Sequence, residues 1–308
     1  DRTQLTEALT LFRTLDNPLS TADTLVNLAN VCLFENQYQQ MEQHASEALT
    51  LFRQLDHAPG IVSANAALAA AAKEQGRYAQ ANTYLEENLA ICRAHGNQRA
   101  EAMALLEISN NFYWTGEYAR TKELAQQSLN IYRELKYKLN LASSLETVGM
   151  AIFKLGDPTN ARPLLEESLA LYREMESLSG EVLVLSSLGQ VDQALGDSPQ
   201  AVQDFQQALR LAHEMGDKRR MAFSLEGLAE AWADTDPGRG ARLLGAAQAL
   251  REAIHSPLPP SEQASYAAML QRTRAALGDL AFSTAWNEGS QFTFTQILET
   301  AGVKMVEF

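Results

Sequence analysis

Residues 101–140 read EAMALLEISNNFYWTGEYARTKELAQQSLNIYRELKYKLN, and this stretch decides the fold. Apolar side chains recur at helical spacing from Met103 to Phe112, a pattern that predicts an amphipathic helix. Gly116 interrupts the pattern at a place where a left-handed backbone costs a residue without Cβ nothing. Apolar residues return between Leu124 and Leu135 and predict a second helix. The stretch is therefore expected to form a helical hairpin.

The same hairpin recurs every forty residues, without insertion or deletion. The place of the turn glycine is filled in succession by Asn36, Gly76, Gly116, Gly156, Gly196 and Asp236. Seven residues earlier, small residues recur at Ala29, Ala69, Ser109, Gly149, Gly189 and Ala229. A fixed period of this length indicates one supersecondary unit stacked on copies of itself. We therefore predict an all-α fold, an α-α superhelix with a C-terminal helical cap.

The period also predicts how the chain is divided. Residues 1–20 are expected to be the second helix of a preceding unit, because Ala8–Arg13 repeats Ala48–Arg53 letter for letter. Residues 21–260 then hold six units of forty residues, and residues 261–308 hold capping helices. The prolines of Pro257–Pro260 predict a rigid connection between these two parts. An array that begins in the middle of a unit suggests a piece excised from a longer protein.

Composition excludes several function classes. The chain has 308 residues and a formal net charge of -13, which argues against direct contact with nucleic acid, since phosphate backbones need clustered Lys and Arg. Its longest unbroken apolar run, Ala66–Ala72, is too short to span a membrane. Cys32 and Cys92 stand at different places in the repeat. Two unmatched cysteines suggest buried thiols in a reducing compartment, and we expect a cytoplasmic location.

The order of residues in each unit resembles the tetratricopeptide repeat. One unit shows the family's apolar, small, turn and aromatic places in Leu68, Ala69, Ala72, Gly76, Tyr78 and Ala81. The units are six residues longer than the family's usual 34, and they lack its proline after the second helix. Basic residues stand there instead, at Arg53, Arg93, Arg133, Arg173 and His213. A stabilising role at the helix C-terminus is the favoured interpretation, with anion binding as the alternative.

The C-terminal part carries a second resemblance. The segments Ala241–Ile254, Pro257–Pro260 and Ala285–Gly289 resemble the C-terminal end of STAND-type ATP-dependent transcriptional regulators related to the MalT and LuxR families. In those proteins a nucleotide-binding switch domain precedes a helical-repeat sensor arm. The resemblance implies a sensor domain whose ATPase lies outside this chain. The alternative is a free-standing scaffold or peptide-sensing protein, like those that regulate sporulation and quorum responses with similar repeats.

No sequence motif points to catalysis. The chain lacks a phosphate-binding loop, a His-Glu-x-x-His motif and a Cys-x-x-Cys motif. Its five histidines show no metal-ligand spacing. We therefore expect no catalytic residue, no metal and no cofactor, and we predict a protein that binds and does not catalyse.

The resemblance implies a concave groove lined by the first helices, with ligand contacts at the residues that vary between units. The predicted ligand-binding residues are Glu107, Asn110, Tyr113, Trp114, Glu146, Phe153, Gln190 and Glu226. Their rings would form an aromatic wall, their amides would hydrogen-bond and their carboxylates would attract a cationic group. Lys and Arg are rare at these places, which disfavours the carboxylate grip of chaperone-binding members.

A second interpretation of these residues stays open. Trp114 and Phe153 would instead pack between adjacent units, and the carboxylates would be solvated. The expected partner is a protein, a peptide or a small-molecule inducer. Homo-oligomers formed through the parent protein are compatible with this architecture.

Overall fold

The computed structural model describes residues 2–254, 256, 258 and 260–303. Within these residues the chain forms sixteen α-helices and no strand. His255, Pro257 and Pro259 of the predicted rigid connection lie outside the described residues, as do the last five residues of the predicted cap. The helices are α1 (Arg2–Thr14), α2 (Pro18–Phe34), α3 (Tyr38–Gln54), α4 (Ala58–Glu74), α5 (Tyr78–Ala94), α6 (Gln98–Thr115), α7 (Tyr118–Leu135), α8 (Lys138–Lys154), α9 (Pro158–Glu174), α10 (Leu178–Ala194), α11 (Ser198–Glu214), α12 (Lys218–Ala231), α13 (Pro237–Ala253), α14 (Pro260–Leu277), α15 (Asp279–Ser290) and α16 (Phe294–Ala301).

The helices fall into two compact units. Unit 1 is Asp1–Lys136 and unit 2 is Tyr137–Phe308. Within each unit every hairpin helix packs against the next one along the chain. First helices of successive hairpins also contact each other, α2 with α4 in unit 1, and α8 with α10 and α10 with α12 in unit 2. We call α2, α4 and α6 the first-helix layer of unit 1, and α8, α10 and α12 the first-helix layer of unit 2.

The turns confirm the prediction for glycine and extend it. Gly76, Gly116, Gly156 and Gly196 all have positive φ, between 72° and 93°. Asn36 has the same left-handed conformation at the end of α2. The second helices also end in this conformation, mostly at residues that are not glycine. These residues are Asp16, Asp56, Gly96, Lys136, Glu176 and Gly216. The backbone therefore repeats every twenty residues, although the side-chain pattern repeats every forty.

Side chains cap the starts of many of the helices. The carboxylates of Asp157 and Asp197 accept hydrogen bonds from the backbone N–H three residues on, at 3.1 and 3.2 Å, and so cap α9 and α11. Asn17, Asn97 and Asp217 make the same bond. At these capped helices the side chain gives a backbone N–H of the first turn a partner, and the preceding turn can therefore stay short.

The small residues of the first helices allow close packing. A Cβ added to Gly189 would lie 2.8 Å from the ring of Phe205 on α11, and one added to Gly149 would lie 3.1 Å from Leu165 on α9. The apolar column beside them is buried in every hairpin, at Leu28, Leu68, Ile108, Val148, Leu188 and Leu228. Helix pairing therefore depends on the alternation of a large and a small side chain.

Three residues of the basic column at the ends of the second helices, Arg53, Arg93 and Arg173, form ion pairs. Arg53 contacts Glu87 at 2.8 Å, and Arg173 contacts Glu181 at 2.9 Å. The first contact joins the second helices α3 and α5, and the other joins α9 to α10. Both favour the structural interpretation of the column over anion binding. Each exposed pair is worth no more than about 1 kcal/mol.

Two glycines bring α13 and α15 together backbone to backbone. A Cβ on Gly245 would lie 2.1 Å from the carbonyl oxygen of Trp286, and one on Gly289 would lie 1.9 Å from that of Arg242. Real Cβ atoms do not approach a backbone oxygen so closely, so only glycine fits at either place.

No helix among the described residues is long and apolar enough to cross a membrane.

Candidate ligand-binding site

The structure distributes the eight predicted residues over the two units. Helix α6 in unit 1 carries Glu107, Asn110, Tyr113 and Trp114. The first-helix layer of unit 2 carries Glu146, Phe153, Gln190 and Glu226. All of them except Glu226 are partly exposed, and Glu226 is buried.

The aromatic residues of unit 1 form a cluster at the end of α6. The ring of Tyr113 meets Trp114 edge to face, with centroids 5.2 Å apart, and it lies 5.5 Å from the ring of Tyr118 on α7. Such contacts add about 0.5–1.5 kcal/mol beyond the burial of area. Because the rings of Tyr113 and Trp114 are only partly buried, they keep surface that a ligand can cover.

Glu107 lies nearly two turns earlier on α6 and pairs with a lysine of the preceding first helix. The Lys73 Nζ lies 3.4 Å from the Glu107 Oε2. Both side chains keep a third or more of their surface, 33% for Lys73 and 43% for Glu107. The predicted set of residues does not include Lys73, and the sequence pattern did not predict this pair.

Glu146 is the most perturbed of the predicted residues. It lies on α8, and its Oε1 accepts a hydrogen bond of 3.1 Å from the Ser187 hydroxyl on α10. Burial raises the pKa of Glu146 to about 7, while the hydrogen bond from Ser187 and the charge of Arg220 on α12 act in the opposite direction. The carboxyl group is therefore poised to gain or lose a proton near neutral pH.

This perturbed carboxyl group makes stability depend on pH. Between the ordinary pKa of 4.5 and about 7 the folded chain binds more protons than the unfolded chain, so the free energy of unfolding falls as pH rises. We expect Glu146→Gln to keep the contact with Ser187 and to reduce this fall. Melting temperatures measured from pH 5 to pH 8 test it, with the exposed Glu86→Gln as the control for losing one charge. An equal effect of the two substitutions would contradict the assignment.

Gln190 and Phe153 surround a half-buried lysine. The Lys154 Nζ donates to the Gln190 Oε1 at 3.3 Å and lies 5.2 Å from the centroid of the Phe153 ring. Burial lowers the pKa of Lys154, and the charge of Glu262 in the first turn of α14 opposes this. The predicted residues Phe153 and Gln190 are thus brought together by a cation that sequence reasoning did not include.

Glu226 has a buried partner of opposite charge. Arg251 on α13 donates two hydrogen bonds to it, from Nε to Oε1 at 2.6 Å and from Nη2 to Oε2 at 2.8 Å. Burial raises the pKa of Glu226, while Arg251 acts against this rise. Its charge is therefore already matched within the protein. A role in attracting a cationic ligand suits Glu226 less well than it suits Glu107 or Glu146.

A pair of buried acids in unit 2 also escaped sequence reasoning. Asp192 on α10 and Asp204 on α11 are buried, and the Arg162 Nε lies 3.1 Å from the Asp192 Oδ1. Burial raises the pKa of Asp204 to about 7, and the nearby Asp192 adds to the rise. A signal was present in the sequence, since the five places equivalent to Asp192 are Cys32, Ala72, Phe112, Ile152 and Trp232.

The arrangement is suited to binding by hydrogen bonds, charge and aromatic contact. In the part of the chain that the structure describes, no group of three or more His, Cys, Asp or Glu side chains is placed to hold a metal ion. The half-buried polar residues lie on the first helices, and the apolar columns lie between the helices.

Comparison with known proteins identifies the repeat. The family model for the tetratricopeptide repeat matches residues 20–94 and 99–174. No curated protein sequence is significantly similar to the chain.

Solved structures share the fold at low sequence identity. The aspartyl phosphate phosphatase F from Bacillus subtilis has a TM-score of 0.67 and 12% identity, over 97% of this chain and 77% of that protein. A Rap protein complexed with competence and sporulation factor has a TM-score of 0.63 and 15% identity, over 97% of this chain and 87% of the other.

A third structure comes from the class that the C-terminal part resembles. It is a signal transduction ATPase with numerous domains (STAND) from Pyrococcus horikoshii, which has a tetratricopeptide repeat sensor. The TM-score is 0.64 and the identity 15%, over 97% of this chain and 45% of that protein, so this chain spans less than half of it. Residues 20–94 and 99–174 therefore contain tetratricopeptide repeats, and the solved structures share the all-α, TPR-like fold that the forty-residue period predicts.

Proposed function

We propose that this chain is a non-enzymatic sensor and interaction arm of a larger cytoplasmic, ATP-dependent bacterial regulator of signalling or transcription. It binds a protein, a peptide or a small inducer and passes the change to a switch domain elsewhere in the parent protein. We propose with it that residues 1–20 are the second helix of a preceding repeat, that residues 21–260 hold six repeats and that residues 261–308 hold the capping helices.

One observation carries the proposal. The side chains that vary between hairpins stand on the first helices and hold half-buried polar groups, such as the Glu146 carboxyl beside Ser187 and the Lys154 ammonium beside Gln190. Burying such groups costs free energy that an apolar residue would not cost. Groups perturbed by burial cluster at functional sites. The likeness to a STAND protein with a tetratricopeptide repeat sensor supports this interpretation.

The proposed contacts follow the sequence prediction, with one change. Glu226 is assigned to the ion pair with Arg251. The proposed ligand-binding residues are then Glu107, Asn110, Tyr113 and Trp114 in unit 1, and Glu146, Phe153 and Gln190 in unit 2.

The alternative is a free-standing peptide sensor. The likeness to a Rap protein complexed with competence and sporulation factor, which extends over 87% of that protein, favours this second candidate. The sequence of the parent gene upstream of Asp1 separates the two. A phosphate-binding loop there supports the regulator, and a parent without one supports the free-standing sensor.

The double substitution Trp114→Ala with Asn110→Ala tests the contacts in unit 1. A library of random peptides displayed on phage is selected on the immobilised chain, and the enriched peptides are measured by titration. We expect the double variant to bind them at least about tenfold more weakly, because a partly buried tryptophan is the kind of side chain that anchors such interfaces.

The control for this experiment is Phe34→Ala, which removes a ring that is 85% exposed at the end of α2. It should leave both binding and melting temperature unchanged. If the double variant loses helicity instead, the two side chains belong to the core. If it binds as tightly as the parent chain, the proposed contacts are wrong.

A further inference from the structure

A cleft of about 250 Å³ lies between α4 and α6 of unit 1. Its floor is formed by Leu85 and Asn88 of α5. The walls are mostly apolar and come from small side chains of the two first helices, together with one methionine. The wall residues are Val62, Ala66, Ala69, Ala70, Ala100, Met103 and Ala104.

The cleft exists because α4 is rich in alanine. The places equivalent to Ala66 in the neighbouring hairpins hold Val26 and Leu106, and those equivalent to Ala70 hold Asn30 and Asn110. Helices α4 and α6 also approach each other less closely than α2 and α4 do. The missing side-chain volume of α4 is therefore not recovered by closer packing, and the space stays open.

Two buried amides of this cleft have oxygens without a hydrogen-bond partner among the described residues. Asn88 and Asn111 are 3% and 1% exposed, and the Oδ1 atom of each lacks a donor. Their orientation is fixed from the other side, since the Asn88 Nδ2 donates to the Val62 carbonyl oxygen at 2.9 Å and the Asn111 Nδ2 donates to the Asn82 Oδ1 at 2.8 Å. A buried acceptor without a hydrogen bond raises the free energy of the folded chain, and a ligand that donates to it removes this cost.

The size and walls of the cleft limit the group that supplies this donor. An apolar cavity of about 150 Å³ accommodates benzene, so a cleft of about 250 Å³ has room for a fused pair of rings. Met103, which is 47% exposed at the rim, adds a flexible thioether of the kind that contacts aromatic rings favourably. The ion pair of Lys73 and Glu107 closes another side.

We propose that the cleft between α4 and α6 is a binding site for a fused aromatic ring that carries an N–H donor, such as an indole. The ring lies against the alanines of α4 and α6, and its N–H donates to the Oδ1 of Asn88 or Asn111. The proposal deepens the proposed function for unit 1, because it names the class of group that binds beside Glu107. Only the role of this ring as a signal rests on the proposed function, and the binding of the ring does not.

The test uses three probes and one filling variant. Indole, benzofuran and N-acetyl-tryptophanamide are titrated into the full chain and followed by saturation-transfer NMR. Benzofuran has the size of indole but no donor, and N-acetyl-tryptophanamide presents the indole as a peptide side chain. The variant Ala66→Leu fills the cleft with the residue that stands at the equivalent place, Leu106. Its matched control is Ala90→Leu at an exposed place of α5.

We expect indole to bind at least about tenfold more tightly than benzofuran, because only indole provides a buried acceptor with a donor. Ala66→Leu should weaken indole binding at least about tenfold while the melting temperature stays equal or rises, since the substitution fills a void. Ala90→Leu should change neither. Tighter binding of N-acetyl-tryptophanamide than of indole identifies a peptide as the source of the ring, and the reverse order identifies a small molecule.

Three results would overturn the proposal. They are no binding of indole, equal binding of indole and benzofuran, and unchanged binding to a folded Ala66→Leu variant. None of them bears on the peptide selection that tests Trp114 and Asn110, so failure of this site and failure of the proposed function can be told apart.

Discussion

Gly289→Ala is expected to lower the free energy of unfolding of the C-terminal helices by about 3 kcal/mol, at the upper end of the usual cost of overpacking. The added Cβ would lie 1.9 Å from the Arg242 carbonyl oxygen, and the next nearest atoms are also backbone. Backbone atoms cannot rotate away as a side chain can. Relief therefore requires α15 to move off α13, which exposes the apolar residues between them, including Phe282 and Ala285.

Thermal and urea unfolding measure this loss, and limited proteolysis shows whether α14, α15 and α16 become accessible. The matched control is Gly238→Ala in the first turn of α13, where the new Cβ would meet nothing closer than 3.8 Å. This control is expected to be neutral or slightly stabilising, because alanine favours helix over glycine. A Gly289→Ala variant as stable as the Gly238→Ala control would show that α13 and α15 do not cross as described.

Arg251→Met is expected to cost about 3–5 kcal/mol, the usual result of removing one partner from a buried ion pair. Arg251 and Glu226 are 7% and 8% exposed, so methionine would leave a carboxylate in a dry environment. The pKa of Glu226, already raised by burial, would rise further. Since the folded variant then binds more protons than the unfolded chain above the ordinary glutamate pKa, its stability falls as pH rises. The loss is expected to be larger at pH 8 than at pH 5.

Urea unfolding of single and double variants checks this expectation. Glu226→Leu combined with Arg251→Met removes both charges and should recover most of the stability. Arg210→Ala serves as the control, because it removes an exposed pair with Glu214 at 3.0 Å and should cost about 0.5 kcal/mol or less. A double variant as unstable as the single one would mean that Arg251 stabilises the fold by packing and not by its charge.

The sequence predicts the helices and most of their turns because both depend on local patterns. Glycine at Gly116 and acidic caps at Asp157 follow from backbone chemistry within a few residues. The left-handed ends at Lys136 and Glu176 could not be predicted in this way. They adopt this conformation because the packed hairpin requires the same turn there, whatever the residue.

Contacts that depend on distant residues were less accessible to sequence reasoning. The crossing at Gly245 and Gly289 joins places 44 residues apart, and Arg251 meets Glu226 across 25 residues. A forty-residue period predicts neither contact, because both join residues at non-equivalent places of the repeat. The cleft beside Ala66 did leave a signal, since alanine stands where other hairpins have larger residues, but its open state depends on how closely α4 and α6 pack. The two interpretations of Trp114 and Phe153 likewise depend on exposure, which the pattern alone does not give.

Because the backbone turns recur every twenty residues, such a chain can gain or lose whole hairpins. Each turn reverses direction with the same handedness, so removing or duplicating one forty-residue cassette joins ends that already match. Gene duplication can then lengthen the array without designing a new joint. The identical strings Ala8–Arg13 and Ala48–Arg53 stand at equivalent places forty residues apart, where such a joint would fall in register.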